Sequence, residues 1–90
     1  MTIKPSSING LGLHATTSWR AGVFLGETHV WHDKTHGWIR TPLGGFINHS
    51  NTPNCFIHSD LGIRNLYIIR PIKEEEELTV YYTVGYDDRI

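Results

Sequence analysis

The chain has 90 residues, with 8 Lys and Arg against 9 Asp and Glu and a formal net charge of −1; that length allows one domain, residues 1–90, burying only roughly 60–65% of the surface its unfolded chain exposes. The balanced, scattered charge gives little support for nucleic-acid binding through phosphate neutralisation, no apolar run approaches the ~20 residues of a membrane span, and residues 1–6 lack the apolar core of a signal peptide. A single cysteine, Cys55, excludes an intrachain disulfide framework and a Cys-rich zinc cluster and fits a reducing compartment, so the expectation is an intracellular, soluble protein.

In chain order the sequence reads as short strands and turns, with almost no helix signal. Residues 7–15 place Gly10 and Gly12 two apart inside an apolar segment, which predicts a backbone that bends sharply or must be approached closely; a lone Gly-x-Gly is weak by itself. Residues 16–22 read as a turn and 23–27 as a short buried strand. Residues 29–32 and 37–41 are set to pair as a hairpin across Asp33, Lys34, Thr35 and His36, and Pro42, Leu43, Gly44 and Gly45 then break the pattern. Strands are expected at 56–58 and 65–69, separated by the turn signal of 59–62. The acidic run Glu74, Glu75, Glu76, Glu77 reads as a solvated turn in preference to a docking site for a basic partner. A last strand is expected over 78–84, from its β-branched and aromatic content.

Between these elements lies the stretch Phe46-Ile47-Asn48-His49-Ser50-Asn51-Thr52-Pro53-Asn54-Cys55. Few structural needs call for so many side-chain donors and acceptors in a row, and Pro53 adds a fixed φ and a missing donor, so the stretch is a candidate ligand-binding turn. Taken singly, its residues have plainer uses: Asn48 and Ser50 as turn residues bonding their own backbone, and His49 as a core histidine. Tyr82, likewise, suits an aromatic position in a strand. His29, His32 and His36 are spaced H-x-x-H-x-x-x-H, but residues i and i+3 point to opposite faces of a strand and no carboxylate or cysteine completes a set, so no metal site is expected.

Three segments in order nevertheless resemble the SET-domain family of protein lysine methyltransferases. Asn9-Gly10-Leu11-Gly12-Leu13-His14-Ala15, with Gly22 and Leu25-Gly26-Glu27 after it, is similar to that family's opening pattern. Asn48-His49-Ser50 with Pro53-Asn54-Cys55 matches its N-H-S-x-x-P-N-C signature at every fixed position. Arg70-Pro71-Ile72 and Glu76-Glu77-Leu78-Thr79, ending at Tyr82, resembles its closing pattern. The resemblance covers most of the chain. It implies a mainly β fold, a SET-type β-clip of several small sheets in which the C-terminal segment threads, as a pseudoknot, beneath a loop near the N-H-S motif.

It also implies an activity: transfer of a methyl group from S-adenosylmethionine to the ε-amine of a lysine in a protein or peptide. Asn9, Gly10, Leu11, Asn48 and His49 fall at positions that hold this cofactor in the family, with glycine at 10 expected because a Cβ would obstruct close approach. Tyr82 matches the catalytic tyrosine, and Trp31, Trp38 and Tyr86 are weaker candidates for the lysine channel. Cys55 fits as a small buried residue with no partner base. A catalytically silent SET-like module that binds the cofactor or a basic tail is the alternative, and a β-domain used only for assembly a plainer one.

This chain also departs from the family. Only about twenty residues, 28–47, stand where a longer peptide-gripping insert is usual; the usual aromatic after Gly26-Glu27 is Thr28, with Trp31 as its candidate replacement; Glu75 stands where glycine opens the closing turn; and eight residues follow Tyr82. Val80 and Ile57 leave room in the channel for more than one methyl. A homodimer is the expected way to cover what so short a chain leaves open.

Overall fold

The computed structural model describes residues 1–81, and eight short strands and one helical turn lie among them. The first two, β1 (Thr2–Pro5) and β2 (Leu11–His14), pair antiparallel with Thr2 opposite His14 and Pro5 opposite Leu11. Nothing in the alternation of residues 1–6 announces β1. It carries a lysine and ends on a proline, which an edge strand tolerates because the missing N–H faces no neighbour.

The main sheet has the order β4-β3-β7-β6, antiparallel throughout. Strand β3 (Phe24–His32) is longer than the 23–27 expected and runs without interruption into the hairpin with β4 (Gly37–Arg40). Its pairing with β7 (Ile63–Ile68) shifts register between Phe24 and Gly26 and again between Glu27 and His29. Such irregularities twist the strand and blur the period-2 pattern that would have shown its full length. Strand β6 (Cys55–Asp60) reaches β7 through Leu61 and Gly62 alone, a tighter connection than the four-residue turn expected.

The break at residues 42–45 is a helical turn, α1 (Pro42–Phe46). Its signal was present in Thr41-Pro42: the Thr41 hydroxyl accepts from the Gly44 N–H at 3.3 Å, and proline occupies the first turn. Gly44 then sits against the Thr28 carbonyl so closely that a Cβ would collide with it. The helical turn delivers the chain into β5 (Asn48–His49), which pairs parallel with β8 (Thr79–Val80). The continuation from β8, on which the expected threading and the full 78–84 strand depend, lies outside the described residues.

Leu13, Ala15, Ile47, Cys55, Leu66, Ile68, Ile72, Leu78 and Val80 form the buried core, with Trp19, Val23, Leu25, Leu43, Phe46 and Ile57 packed around it. The core therefore draws on both ends of the candidate turn, and places the polar residues 48–54 at its edge.

Candidate functional site

Residues 75–78 run antiparallel beside β2. The Ala15 N–H donates to the Glu76 carbonyl at 2.9 Å, and the Leu78 N–H to the Leu13 carbonyl at 2.8 Å. This pairing carries the Glu77 carboxylate over Gly12, where a Cβ would collide with it. The two glycines thus have separate reasons. Gly12 is the position of close approach, whereas Gly10 adopts φ 48°, the left-handed region, and a Cβ there would meet nothing.

Asn48 is brought to the same place by β5. Its Nδ2 lies 3.2 Å from the Asn9 carbonyl, 3.2 Å from the Leu11 carbonyl, 2.8 Å from Glu77 Oε2 and 3.1 Å from Ser6 Oγ. The Ser6 hydroxyl in turn lies 2.8 Å from each Glu77 carboxylate oxygen. Three of the residues named from sequence, Asn9, Leu11 and Asn48, therefore meet around the bend at Gly10, although 37 and 39 positions separate Asn48 from the other two. Ser6 and Glu77 escape sequence reasoning: Glu77 stands in the closing pattern but within a charge run, and Ser6 precedes every motif.

His49 follows in β5 opposite Val80; its ring packs against Tyr81 at 4.9 Å and its Nε2 approaches Asn51 Oδ1 at 3.3 Å. Ser50 closes its own turn, accepting from the Thr52 N–H at 3.0 Å, as the plainer reading of that residue has it. Asn54, given no role above, is 1% exposed and clamps the closing segment: it donates to the Glu77 carbonyl (2.8 Å) and Glu76 Oε2 (3.1 Å) and accepts from the Thr79 N–H (2.8 Å).

The acidic run is the solvated turn expected only in its first half: Glu74 and Glu75 form an exposed turn, whereas Glu76 and Glu77 are half-buried. Glu75 pairs with Lys4 at 2.6 Å, Glu76 accepts from Arg70 and Asn54, and Glu77 from Ser6 and Asn48, so three of its four carboxylates tie separate parts of the chain together. The Lys4 hydrogen bond holds the Glu75 carboxyl below the usual carboxylate range. Burial pushes the Glu76 carboxyl up, but hydrogen bonds from the Lys73 N–H, Asn54 and Arg70 outweigh it and leave that group low as well.

Trp31 and Trp38 face each other across the β3–β4 hairpin, with ring centroids 5.6 Å apart. Trp31 donates to Asp33 at 2.9 Å, and Trp38 meets the His29 ring edge-on and carries the Arg64 guanidinium 3.9 Å above its own. Among the described residues these ring and hydrogen-bond contacts stay within the main sheet and the hairpin turn, and do not reach the Asn48 cluster. Thr28 is fully buried: its hydroxyl donates to the Arg64 carbonyl at 3.2 Å and its carbonyl accepts the Thr41 N–H at 2.9 Å. Cys55 is also buried, which pushes its thiol up to about 12 and leaves it protonated and unreactive at neutral pH. An open groove of about 550 Å³ beside Trp19, Val23 and Ile72 shares no residue with the Asn48 cluster. Tyr82 and Tyr86, assigned above to catalysis and to the lysine channel, lie outside the described residues.

Comparison with known proteins bears on this arrangement. A family model for the SET domain matches residues 29–83. In a crystal structure of a Plasmodium falciparum protein designated a histone methyltransferase, 91% of this chain aligns with 91% of that one, at a TM-score of 0.73 and 18% identity. The methyltransferase domain of human PR domain-containing protein 2 aligns over 91% of this chain and 76% of its own, at a TM-score of 0.66 and 19% identity. At those identities the likeness is one of fold.

Proposed function

This chain belongs to the SET-domain family, and from that premise we propose that it is a methyltransferase acting from S-adenosylmethionine on the ε-amine of a lysine in a protein substrate. The observation that carries the proposal is the meeting of the Asn9 and Leu11 carbonyls with the Asn48 amide and the Glu77 carboxylate. These groups make an edge rich in acceptors and negative charge. A ligand with an ammonium and a sulfonium suits such an edge, because these two positive groups outweigh its one carboxylate and the ammonium is a threefold donor. Asn9, Gly10, Leu11, Asn48 and His49 are the residues we assign to holding it.

When bound, the cofactor supplies an electrophilic methyl on a cationic sulfur. The remaining work falls to the protein. A lysine amine with a pKa near 10.4 is almost wholly protonated at neutral pH and has no lone pair to offer. An apolar channel lowers that pKa by penalising the charged form, and a nearby cation acts in the same direction. Holding the amine oriented towards the methyl that the cofactor would present would then supply the rate, without a strong general base. We assign the orienting hydroxyl to Tyr82, and propose Trp31, Trp38 and Tyr86 for the channel wall. A protein tail as substrate accords with the histone methyltransferase designation of the Plasmodium neighbour. We further propose one domain over residues 1–90 and a homodimer as its working form.

The test is incubation of the purified chain with methyl-labelled cofactor and a panel of lysine-rich proteins, read by mass spectrometry for mass increments on lysine. The wild type is expected to label, and Tyr82→Phe to lower the rate by roughly a hundredfold, the scale of losing one positioned donor. Undiminished labelling by Tyr82→Phe removes the role given to that hydroxyl. Cofactor binding with no transfer to any substrate removes the activity.

A further inference from the structure

The four atoms around Asn48 Nδ2 constrain which way its side-chain amide faces. Two are carbonyl oxygens, of Asn9 and Leu11, and one is a carboxylate oxygen of Glu77; none of these carries a proton. The fourth, Ser6 Oγ, directs its single proton at the Glu77 carboxylate and also accepts from the Ile8 N–H at 2.9 Å. Turned by 180°, the amide would set Oδ1 against three proton-free oxygens within hydrogen-bonding distance. The amide nitrogen is therefore held inward, and Oδ1, on the other branch of the same planar group, is turned away from these acceptors.

Glu77 is the strongest of the four in this respect, since it has the shortest contact and the only full charge. Its place is built by the fold, through its bridge to His14 and the room left by Gly12. Among the described residues the ion pairs of the acidic run are Lys4 with Glu75 and Arg70 with Glu76, so Glu77 brings a half-buried negative charge to the Gly10 bend without a cation pairing it there.

We infer that Glu77, anchored by Ser6, is a positioning residue that fixes the orientation of the Asn48 amide, so that Asn48 Oδ1 and the charge behind it select a ligand bearing an ammonium. The inference rests on the cofactor reading above and adds to it a residue, Glu77, that acts through Asn48. Glu77→Gln keeps size and shape but places an amide where the carboxylate stood. That change removes the charge and supplies N–H donors against which Asn48 Oδ1 is free to turn inward.

The experiment is titration calorimetry of the full chain with two ligands, S-adenosylhomocysteine, which carries the ammonium, and 5′-methylthioadenosine, which lacks the amino-acid portion. Glu77→Gln is expected to weaken the first by roughly tenfold or more and the second by less than about twofold. Ser6→Ala, a milder change for the case in which Glu77→Gln does not fold, is expected to weaken the first selectively by about two- to fivefold. Equal losses for both ligands in either folded variant overturn the inference, since a merely structural role has no reason to distinguish them. Failure of the wild type to bind S-adenosylhomocysteine overturns the cofactor reading itself, and the inference with it.

Discussion

Asn54 is the single side chain on which the closing segment most depends. One buried amide satisfies the Thr79 N–H, the Glu77 carbonyl and a Glu76 oxygen, so it sets where β8 begins and where Glu77 turns towards Gly12. Truncation leaves a buried donor and acceptor without partners as well as a cavity, and Asn54→Ala is expected to cost roughly 2–4 kcal/mol. Chemical denaturation measures this, and a loss under about 0.5 kcal/mol would show that the clamp is dispensable. In sequence Asn54 stood out as part of a motif, but its partners lie 22 to 25 positions away and no spacing rule points to them. Gly10 and Gly12 were legible as a pair in need of bending or close approach; which glycine served which need was decided by φ at one and by the Glu77 carboxylate at the other.

Among the elements, the β6–β7 hairpin shows how local sequence and the observed turn disagree. Leu61 and Gly62 form its two-residue loop with φ 46° and 83°, both left-handed, as in the tight turns that favour Asn-Gly. Leucine is strained in that region, and at 96% exposure Leu61 gains nothing from burial. Leu61→Asn is expected to stabilise the domain by about 0.5–1 kcal/mol, or roughly 2–8 °C in Tm at this chain length. Thermal unfolding followed by circular dichroism tests it, and an unchanged or lowered Tm would count against a strained turn. The same conflict appears at Glu75, with φ 76° where the family pattern has glycine. There the Lys4 pair accompanies the substitution, although an exposed pair of this kind contributes little. The β3–β4 hairpin was readable from its two aromatic runs and polar turn. α1 has a start signal in Thr41-Pro42 but reads as a break, because five residues are too few for a helical period.

At the scale of the whole molecule, the acidic run acts as a set of ties: Glu75 to the N-terminal strand, Glu76 to Arg70 and Asn54, Glu77 to Ser6 and Asn48. Glu75 and Glu76 titrate below their usual range in the folded state. A depressed folded pKa means that the unfolded chain takes up the proton first, so the contribution is present above about pH 4.5 and is lost as pH falls through the lower folded values. The chain is expected to lose stability steadily as pH falls from about 5 through and below the ordinary glutamate range, with Glu76→Gln less stable at pH 7 and showing a shallower acid decline. Urea midpoints across that range measure the effect, and parallel profiles for the two proteins would remove Glu76 as a source.

The sequence by itself determined the mainly β content, most strand positions, the family and the polar turn at 46–55, because these depend on local composition and on residues close in the chain. Only the tertiary structure decided that Asn9, Leu11 and Asn48 meet, that Glu77 and Ser6 join them, and that Glu76 and Glu77 are drawn inward. The reason is physical: hydrogen bonds from Asn48 to Asn9 and from Ser6 to Glu77 close loops of 39 and 71 residues. Whether such loops close is determined by the packing of β2 beside residues 75–78 and of β5 beside β8, to which no short stretch of the sequence refers.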